Sequence, residues 1–217
     1  MERIKKNFGF GFMRLPMQDG EVDIAETNRM VDAFLDAGFN YFDTAHGYLQ
    51  GKSEKTLKTC LTSRYLRDRY ILTDKLTENF FKTEADIRPV FESQLEACGV
   101  DYFDFYLMHS QCSENYGHFK ACRAYETAFA LKEEGKVRHV GISFHGRPEL
   151  LEQIHARLLE PADVVRVVDD AHAIGFIVLD FVLTGVHKNT SLLEKSELRS
   201  FGIASLFFDV QEYLDRS

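Results

Sequence analysis

The chain has 217 residues, of which 45% are apolar and 28% are charged, and its net charge is −8. This length and composition are typical of a globular chain with one sizeable core, and they predict a single domain over residues 1–217. The negative charge argues against nucleic acid or an anionic membrane surface as the main partner. No apolar run approaches the roughly 20 residues needed to span a bilayer.

The cysteines and the N-terminus predict a cytoplasmic protein. Cys60, Cys98, Cys112 and Cys122 show neither C-x-x-C spacing nor a histidine grouping suited to zinc. They are interpreted as free thiols in a reducing compartment, and no metal is expected. The charged N-terminus passes directly into a strand-like run, which is not the pattern of a secretory signal.

The first third of the chain predicts strands and helices in alternation. A strand is expected over Phe8–Leu15, and another ends at Asp43. Helices are expected over Asp23–Ala37 and over Ser53–Arg64, where Ser53 is a candidate N-cap. A polar loop over 18–21 separates the first strand from the first helix.

The alternation continues through the middle of the chain. Strands are expected over Tyr70–Thr73, Phe103–Met108 and Val137–Ser143, with helices over Thr83–Cys98 and Arg123–Glu134 between them. The connections are too long for hairpins, so the strands are expected to form a parallel sheet covered by helices.

Polar residues stand where three of these strands end. Asp43 closes one strand, Asp74 and Lys75 follow the next, and His109 follows the third. In a barrel, catalytic groups gather at the C-terminal ends of several strands. The chain has no G-x-G-x-x-G after its first strand and no P-loop, the usual signs of an open nucleotide-binding sheet. The predicted fold is therefore an α/β (β/α)8 TIM barrel.

Five segments of the sequence carry recognisable motifs, namely Phe8–Pro16, Asn40–Tyr48, Gly51–Glu54, Leu107–His109 and Lys132–Ser143. The most specific signal is D-T-A-x-x-Y followed by G-x-S-E. In this order the segments resemble the aldo-keto reductase family, whose members are (β/α)8 barrels that use NADPH without a Rossmann domain. The opening and the G-K-S-E segment are most similar to bacterial members with a C-terminal iron–sulfur segment. No cysteine follows Cys122, so no iron–sulfur cluster is expected.

The resemblance implies a catalytic site of four residues. Tyr48 would protonate a carbonyl oxygen as hydride arrives from NADPH, or from NADH as an alternative. A free phenol has a pKa of about 10, so this role needs a neighbouring cation, Lys75, which Asp43 would hold and neutralise. His109 would orient the carbonyl and donate a hydrogen bond to its oxygen. Each residue taken alone also has an ordinary structural interpretation, and the joint pattern favours the site.

The substrate pocket and the cofactor site are less complete in the sequence. His46, inside the D-T-A-x-x-Y motif, is a candidate for the substrate pocket, and a surface-loop histidine is the alternative. By the resemblance, Ser143 would help to hold the nicotinamide amide, and Arg166 stands where a cofactor-binding glutamine is expected. Thr184 and Gly185 lie where reductases have a loop over the pyrophosphate. The stacking aromatic residue and the adenosine 2′-phosphate cluster have no recognisable counterpart.

The stretch over 161–182 allows two interpretations. In the first, Val164–Val168 is strand six, and a loop and helix are missing before strand seven, Phe176–Val182. In the second, Pro161–Ala173 is one helix leading into that strand. The same stretch faintly resembles a helix–strand unit of the α-amylase family. The expected barrel is therefore short or incomplete after the fifth or sixth strand. The resemblance to the reductase family is clear over 1–160, and the sequence over 161–217 is atypical of it.

Three functions follow from these patterns. The first is an NADPH-dependent reductase of a small-molecule aldehyde or ketone. The second is an inactive, truncated or engineered barrel scaffold that keeps the four residues but lacks the cofactor site. The third is a sugar-binding or glycosidase-like barrel, which would need paired carboxylates, and Asp180 has no obvious partner. An unclosed barrel would leave edge strands that can pair with another copy, which predicts a homodimer or aggregation.

Overall fold

The computed structural model describes residues 4–6, 8–147, 149–151, 153–154, 164–168 and 177–179. The strands are β1 (Gly9–Gly11), β2 (Met17–Gln18), β3 (Glu21–Val22), β4 (Tyr41–Asp43), β5 (Ile71–Leu76), β6 (Phe103–Gln111), β7 (Val137–Phe144), β8 (Val164–Val168) and β9 (Ile177–Leu179). The helices are α1 (Ile24–Asp36), α2 (Lys52–Leu57), α3 (Glu84–Cys98), α4 (Tyr116–Ala121) and α5 (Ala124–Glu133).

One sheet holds seven of these strands, in the order β1-β4-β5-β6-β7-β8-β9. The six strands from β1 to β8 in this order are parallel to one another. The last strand, β9, is antiparallel to β8. Strands that follow one another along the chain thus lie side by side, as they do in a (β/α)8 barrel. The predicted barrel-type α/β fold is confirmed. Over the described residues the sheet is open, with β1 and β9 at its ends.

The two faces of the sheet bury different side chains. A small apolar cluster lies on the inner face and consists of Tyr41, Ile71, Phe105 and Leu107. The larger cluster joins the outer face to the helices and includes Phe42, Leu72, Tyr106, Met108 and Ile142. Because side chains alternate along a strand, one face lines the barrel interior while the other packs against helices. The same alternation sends Lys75 inward and Asp74 toward α3.

The ends of α1 and α3 follow from local side-chain chemistry. The Asp23 carboxylate accepts the Glu26 N–H (2.9 Å) and caps α1. Thr83 and Asp86 form a capping box at the start of α3, and Gly99 ends that helix with a φ of 67°. Both helices therefore begin and end within one or two residues of the predicted positions, a difference that is normal for helix termini.

The structure adds two elements that the sequence interpretation lacks. The expected polar loop over 18–21 is the turn of the β2–β3 hairpin, with Asp19 and Gly20 at φ of 51° and 83°. An Asp-Gly pair is a known hairpin signal, so the sequence contained the information. The second element, α4, lies in the loop after β6 and buries Tyr116 and Phe119. A helix of six residues is too short to show a clear period.

Strand lengths also differ from the prediction. The strand β1 has three residues, much fewer than Phe8–Leu15. The strands β5 and β6 are longer and continue to Leu76 and Gln111, so Lys75 and His109 lie within strands and not after them. Pairing with β7 extends β6 through an irregularity between Met108 and Gln111. Long-range pairing of this kind leaves no mark in the local pattern.

The first interpretation of the later chain is confirmed for strand six, because Val164–Val168 forms β8 parallel to β7. The second interpretation, a single helix over Pro161–Ala173, is wrong for these five residues. The strand β9 runs antiparallel to β8, since residues 169–176 are too few for a parallel crossover, which needs roughly a dozen or more. After β7, residues 149–151 and 153–154 are helical. The predicted homodimer stays a prediction.

A buried carboxylate ties β5 to β6 at the N-terminal end of the sheet. Asp104 accepts hydrogen bonds from Nη2 of Arg67 (2.6 Å) and from the Leu72 N–H (2.7 Å). The Arg67 guanidinium also lies 4.0 Å from the centre of the Tyr102 ring. Burial raises the pKa of Asp104, and the charge of Arg67 opposes that rise. The positive charge of Arg67 therefore compensates Asp104 for the hydration that its carboxylate loses on burial.

Replacing Arg67 tests how far the fold depends on this contact. Arg67→Ala leaves Asp104 buried without its main cation, and we expect the free energy of unfolding to fall by about 2–4 kcal/mol. Arg69→Ala is the matched control: Arg69 is exposed, and its loss should change stability by less than about 0.5 kcal/mol. Urea denaturation at neutral pH measures both variants. Equal stability of the two would contradict the assignment.

Candidate active site

The four residues predicted for catalysis meet at the C-terminal end of the sheet. Asp43 is the last residue of β4, Lys75 lies near the end of β5, and His109 lies near the end of β6. Tyr48 comes from the loop that follows β4. Their side chains form one connected set of hydrogen-bond contacts. The structure therefore brings together all four predicted residues, which lie up to 66 positions apart in the sequence, from 43 to 109.

Lys75 is the centre of this set. Its Nζ donates to the Asp43 carboxylate and to the Thr44 carbonyl oxygen (2.9 Å), and it lies 3.4 Å from Oη of Tyr48. Burial by itself lowers the pKa of Lys75, but the Asp43 carboxylate and the Tyr48 hydroxyl outweigh it, so the pKa lies above its ordinary value. Lys75 is therefore a buried cation whose ammonium group is held in one position by its hydrogen bonds.

The loop that carries Tyr48 is anchored by Ser53 of α2. Ser53 Oγ donates to the Phe12 carbonyl oxygen (2.9 Å), so the Thr44 hydroxyl, at 2.7 Å, donates to Ser53. The predicted role of Ser53 as an N-cap is wrong, because α2 begins after Gly51 without a side-chain cap. The serine hydroxyl instead joins α2 to the residues that directly follow β1 and β4.

The backbone just after Tyr48 is strained. Leu49, Gln50 and Gly51 have φ values of 51°, 58° and 83°. A non-glycine residue in this left-handed region costs on the order of 1–3 kcal/mol and persists only where the surroundings impose it. Glycine adopts the third position without that cost. These three residues connect Tyr48, whose hydroxyl lies in the site, to the start of α2.

His109 contacts a hydroxyl on each side of its ring. Its Nε2 lies 3.4 Å from Oη of Tyr48, and its Nδ1 lies 2.8 Å from Oγ1 of Thr77. Burial, with smaller contributions from Lys75 and His145, lowers the pKa of His109 to about 3. The imidazole is therefore neutral at physiological pH and can donate only one N–H.

The outer face of β5 holds the backbone of Lys75. The Lys75 N–H donates to Oδ1 of Asp74 (2.7 Å), and its carbonyl oxygen accepts from Nε2 of the buried Gln94 in α3 (3.1 Å). Tyr106 in turn donates to Oε1 of Gln94 (2.7 Å). Burial, and then the charge of Glu54, raises the pKa of Asp74 well above its ordinary value. The sequence interpretation missed Gln94, and a polar residue on the buried face of a helix is the signal that could have found it.

His46 lies beside the same loop and is paired. Its Nδ1 lies 2.9 Å from Oε1 of Glu54, and its ring meets the edge of Phe80 with 4.5 Å between centres. The exposed fraction of the His46 side chain is 20%, against 3% for Glu54. The sequence interpretation named neither partner. Glu54 could have been inferred as the last residue of G-x-S-E, whereas Phe80 carried no signal.

The predicted cofactor residues are only partly described. Ser143, near the end of β7, is fully buried, and its Oγ has no hydrogen-bond partner among the described residues. Buried hydroxyls normally have one, so Ser143 fits the role of a group that bonds to a bound nicotinamide amide. Arg166 lies in β8 and pairs with Ile142 of β7. Thr184 and Gly185 lie outside the described residues.

Metal-ligand clusters, disulfides and membrane-spanning helices are absent from the described part of the chain. No three His, Cys, Asp or Glu side chains are grouped there in a way that could hold a metal ion. All four cysteines are free thiols, and only Cys112 is not buried. No helix among the described residues has both the length and the apolar character needed to cross a bilayer.

The low pKa of His109 makes folding depend on pH. In the unfolded chain this histidine binds a proton below its ordinary value of 6.5, whereas in the folded chain it does so only near about 3. Between these values the unfolded chain holds the additional proton, so stability falls as the pH falls from 6.5 toward 3. Replacing His109 by Asn should reduce that slope by up to about 1.4 kcal/mol per pH unit.

Denaturant unfolding at several pH values between about 5 and 7 measures the slope. Tyr48→Phe is the control, because it keeps the burial of His109 and the charge of Lys75 and should keep the wild-type slope. The same slope in His109→Asn as in the wild type would show that this histidine titrates normally.

Known proteins are similar to this chain in sequence and in architecture. Residues 7–171 match the model of the Aldo/keto reductase family. An aldo-keto reductase from Mycobacterium sp. (strain JLS) is 32% identical over 135 residues, covering 62% of this chain and 44% of that protein. The structure of an aldo-keto reductase from Bacillus halodurans (holo form) is 27% identical with a TM-score of 0.58, covering 74% and 52% of the two chains.

A crystal structure of an aldo-keto reductase from Klebsiella pneumoniae in complex with NADPH is 25% identical with a TM-score of 0.52, covering 63% of this chain and 45% of that one. The chain therefore spans about half the length of these relatives. The family match covers three quarters of the chain, including every residue of the four-residue set. The chain belongs to the aldo/keto reductase family.

Proposed function

We propose that this protein reduces a small-molecule aldehyde or ketone with NADPH, and that Tyr48 is the general acid. The observation that carries the proposal is the position of Oη of Tyr48, 3.4 Å from both Nζ of Lys75 and Nε2 of His109. A hydroxyl between a fixed cation and a neutral imidazole is equipped to give a proton to a third oxygen atom. When bound, the nicotinamide supplies the hydride.

Lys75 supports proton donation through its charge. As Tyr48 gives its proton to the carbonyl oxygen, negative charge develops on Oη, and the ammonium group at 3.4 Å stabilises it. Asp43 holds the ammonium in place and balances its charge in the buried site. Because Lys75 is almost fully buried, its field acts through little water and is stronger than that of a surface lysine.

His109 is proposed to orient the carbonyl group. A neutral imidazole with its proton on Nε2 would donate to the carbonyl oxygen from a direction next to Tyr48. The low pKa of His109 supports this role, since the ring stays uncharged and does not compete with Lys75 for the Asp43 carboxylate. Two donors that converge on one oxygen both position it and stabilise the charge that it gains.

Cofactor binding is proposed for Ser143, near the end of β7, and for three further residues that the family resemblance indicates. The buried Ser143 hydroxyl would bond to the nicotinamide amide. Arg166, Thr184 and Gly185 remain the expected contacts to the rest of the cofactor. NADPH is favoured because a solved relative from Klebsiella pneumoniae was crystallised with it, and NADH would supply the same chemistry. No metal and no iron–sulfur cluster enter this proposal, and a cytoplasmic location stays a prediction.

The proposal is tested by NADPH binding and turnover in the wild type and in Tyr48→Phe. We expect the wild type to quench NADPH fluorescence on titration and to consume NADPH with one or more of a panel of small aldehydes and ketones. Tyr48→Phe should lower kcat by about 10²–10⁴-fold while NADPH still binds, because only the proton donor is lost. Tyr65→Phe, at a tyrosine outside the site that contacts Asp32, is the matched control and should keep wild-type activity.

Two outcomes would contradict the proposal. A wild type that binds no NADPH would favour the alternative of an inactive scaffold that keeps the four residues. Full activity in Tyr48→Phe would leave a reductase but remove Tyr48 from the role of general acid.

The pair of His46 and Phe80 is proposed to line the substrate pocket. The ring of Phe80 packs on His46, yet 43% of the residue is exposed. The exposed part of the ring is therefore accessible to a ligand. Phe80→Ala should raise KM for an aromatic aldehyde by up to about 10-fold, the value of one aromatic contact, with a smaller change in kcat. Phe8→Ala is the control, since Phe8 is 51% exposed and precedes β1 at the other end of the sheet. Equal KM values in the two variants would remove Phe80 from the pocket.

A further inference from the structure

Thr77 makes a contact to the site that the four-residue set does not include. It follows directly after β5, and its Oγ1 lies 2.8 Å from Nδ1 of His109. The backbone of Thr77 is fixed by the next turn, because its carbonyl oxygen accepts the Phe80 N–H (3.1 Å). A hydroxyl held in this way meets the ring nitrogen that faces away from Tyr48.

We propose that the Thr77 hydroxyl donates its hydrogen bond to Nδ1 of His109 and so holds this histidine in the tautomer with its proton on Nε2. Nδ1 of His109 is the one hydrogen-bond partner that Thr77 Oγ1 has among the described residues. If Nδ1 carried the proton and donated it, the hydroxyl hydrogen of the half-buried Thr77 would have only solvent as an acceptor around the described residues. Donation from Thr77 gives both groups a partner.

The charge of Lys75 disfavours a proton on Nε2 of His109, and the contact with Thr77 opposes that effect. The ammonium group of Lys75 lies beyond Oη of Tyr48, on the Nε2 side of the ring. A positive charge there favours a lone pair on Nε2 over an N–H. A hydrogen-bond donor at Nδ1 opposes that preference, because it needs a lone pair on Nδ1 and leaves the single proton of the neutral ring for Nε2.

The choice of tautomer decides what His109 can do, and this step rests on the proposed function. With the proton on Nε2, His109 and Tyr48 both donate toward the carbonyl oxygen. With the proton on Nδ1, Nε2 becomes an acceptor and draws the phenolic proton of Tyr48 toward itself. Thr77 is thus a positioning residue that acts through His109, and loss of its hydroxyl should reduce the rate more than the binding of substrate.

The tautomer is read directly by ¹⁵N NMR of the histidine rings in the full chain, which needs no turnover. The His109 signals are assigned by their loss in His109→Asn. We expect the wild type to show a protonated Nε2 and a bare Nδ1 near neutral pH. Thr77→Val, which removes the hydroxyl at nearly constant shape, should shift His109 toward the tautomer protonated on Nδ1. Thr77→Ser keeps the hydroxyl and should restore the wild-type signals.

Thr127→Val is the matched control, since Oγ1 of Thr127 on α5 bonds only to the Arg123 carbonyl oxygen among the described residues. In an active chain, Thr77→Val should lower kcat by at least about 10-fold, as expected for a partner that orients a reacting group, with little change in KM or in NADPH affinity. A wild type with the proton on Nδ1, or a Thr77→Val variant with unchanged histidine signals, would overturn the proposal. Correct tautomers in a chain without reductase activity would instead count against the proposed function alone.

Discussion

The site depends on the ion pair between Lys75 and Asp43, each with only 1% of its side chain exposed. Either charge alone at that depth would cost several kcal/mol, so each residue requires the other. The contact joins the ends of β4 and β5 and therefore depends on the register of the sheet. It also fixes Nζ of Lys75 at 3.4 Å from Oη of Tyr48. The Asp43 carboxylate thus compensates the burial of Lys75 and also positions its ammonium group next to the Tyr48 hydroxyl.

The strand β5 connects this interior site to the helix layer. Its inward residue Lys75 contacts Asp43 and Tyr48, and Thr77, directly after the strand, contacts His109. Its outward residue Asp74 faces α3. Gln94 of α3 reaches the main chain of the lysine from behind. A substitution in α3 can therefore alter the site without touching a substrate, because the polar groups of a buried strand end need partners.

Three ionisable groups near the site differ in protonation for physical reasons. Lys75 stays charged because a carboxylate compensates its burial. His109 stays neutral because burial and the nearby ammonium both oppose a second proton. Asp74 has a raised pKa because burial dominates and Glu54 adds a like charge. Sites that separate pKa values in this way are typical of acid–base chemistry. Here the separation leaves a cation, Lys75, and a neutral imidazole, His109, both in contact with Oη of Tyr48.

The sequence by itself predicted the alternation of strands and helices and the four residues that meet at the strand ends, because these depend on local periods and on short motifs. It did not determine the role of Ser53, the partners Gln94, Glu54, Phe80 and Thr77, or the antiparallel pairing of β9. Thr77 and His109 are 32 residues apart, and nothing local marks their contact. Only the tertiary structure decided these features, because parallel strands bring together side chains that the chain itself holds far apart.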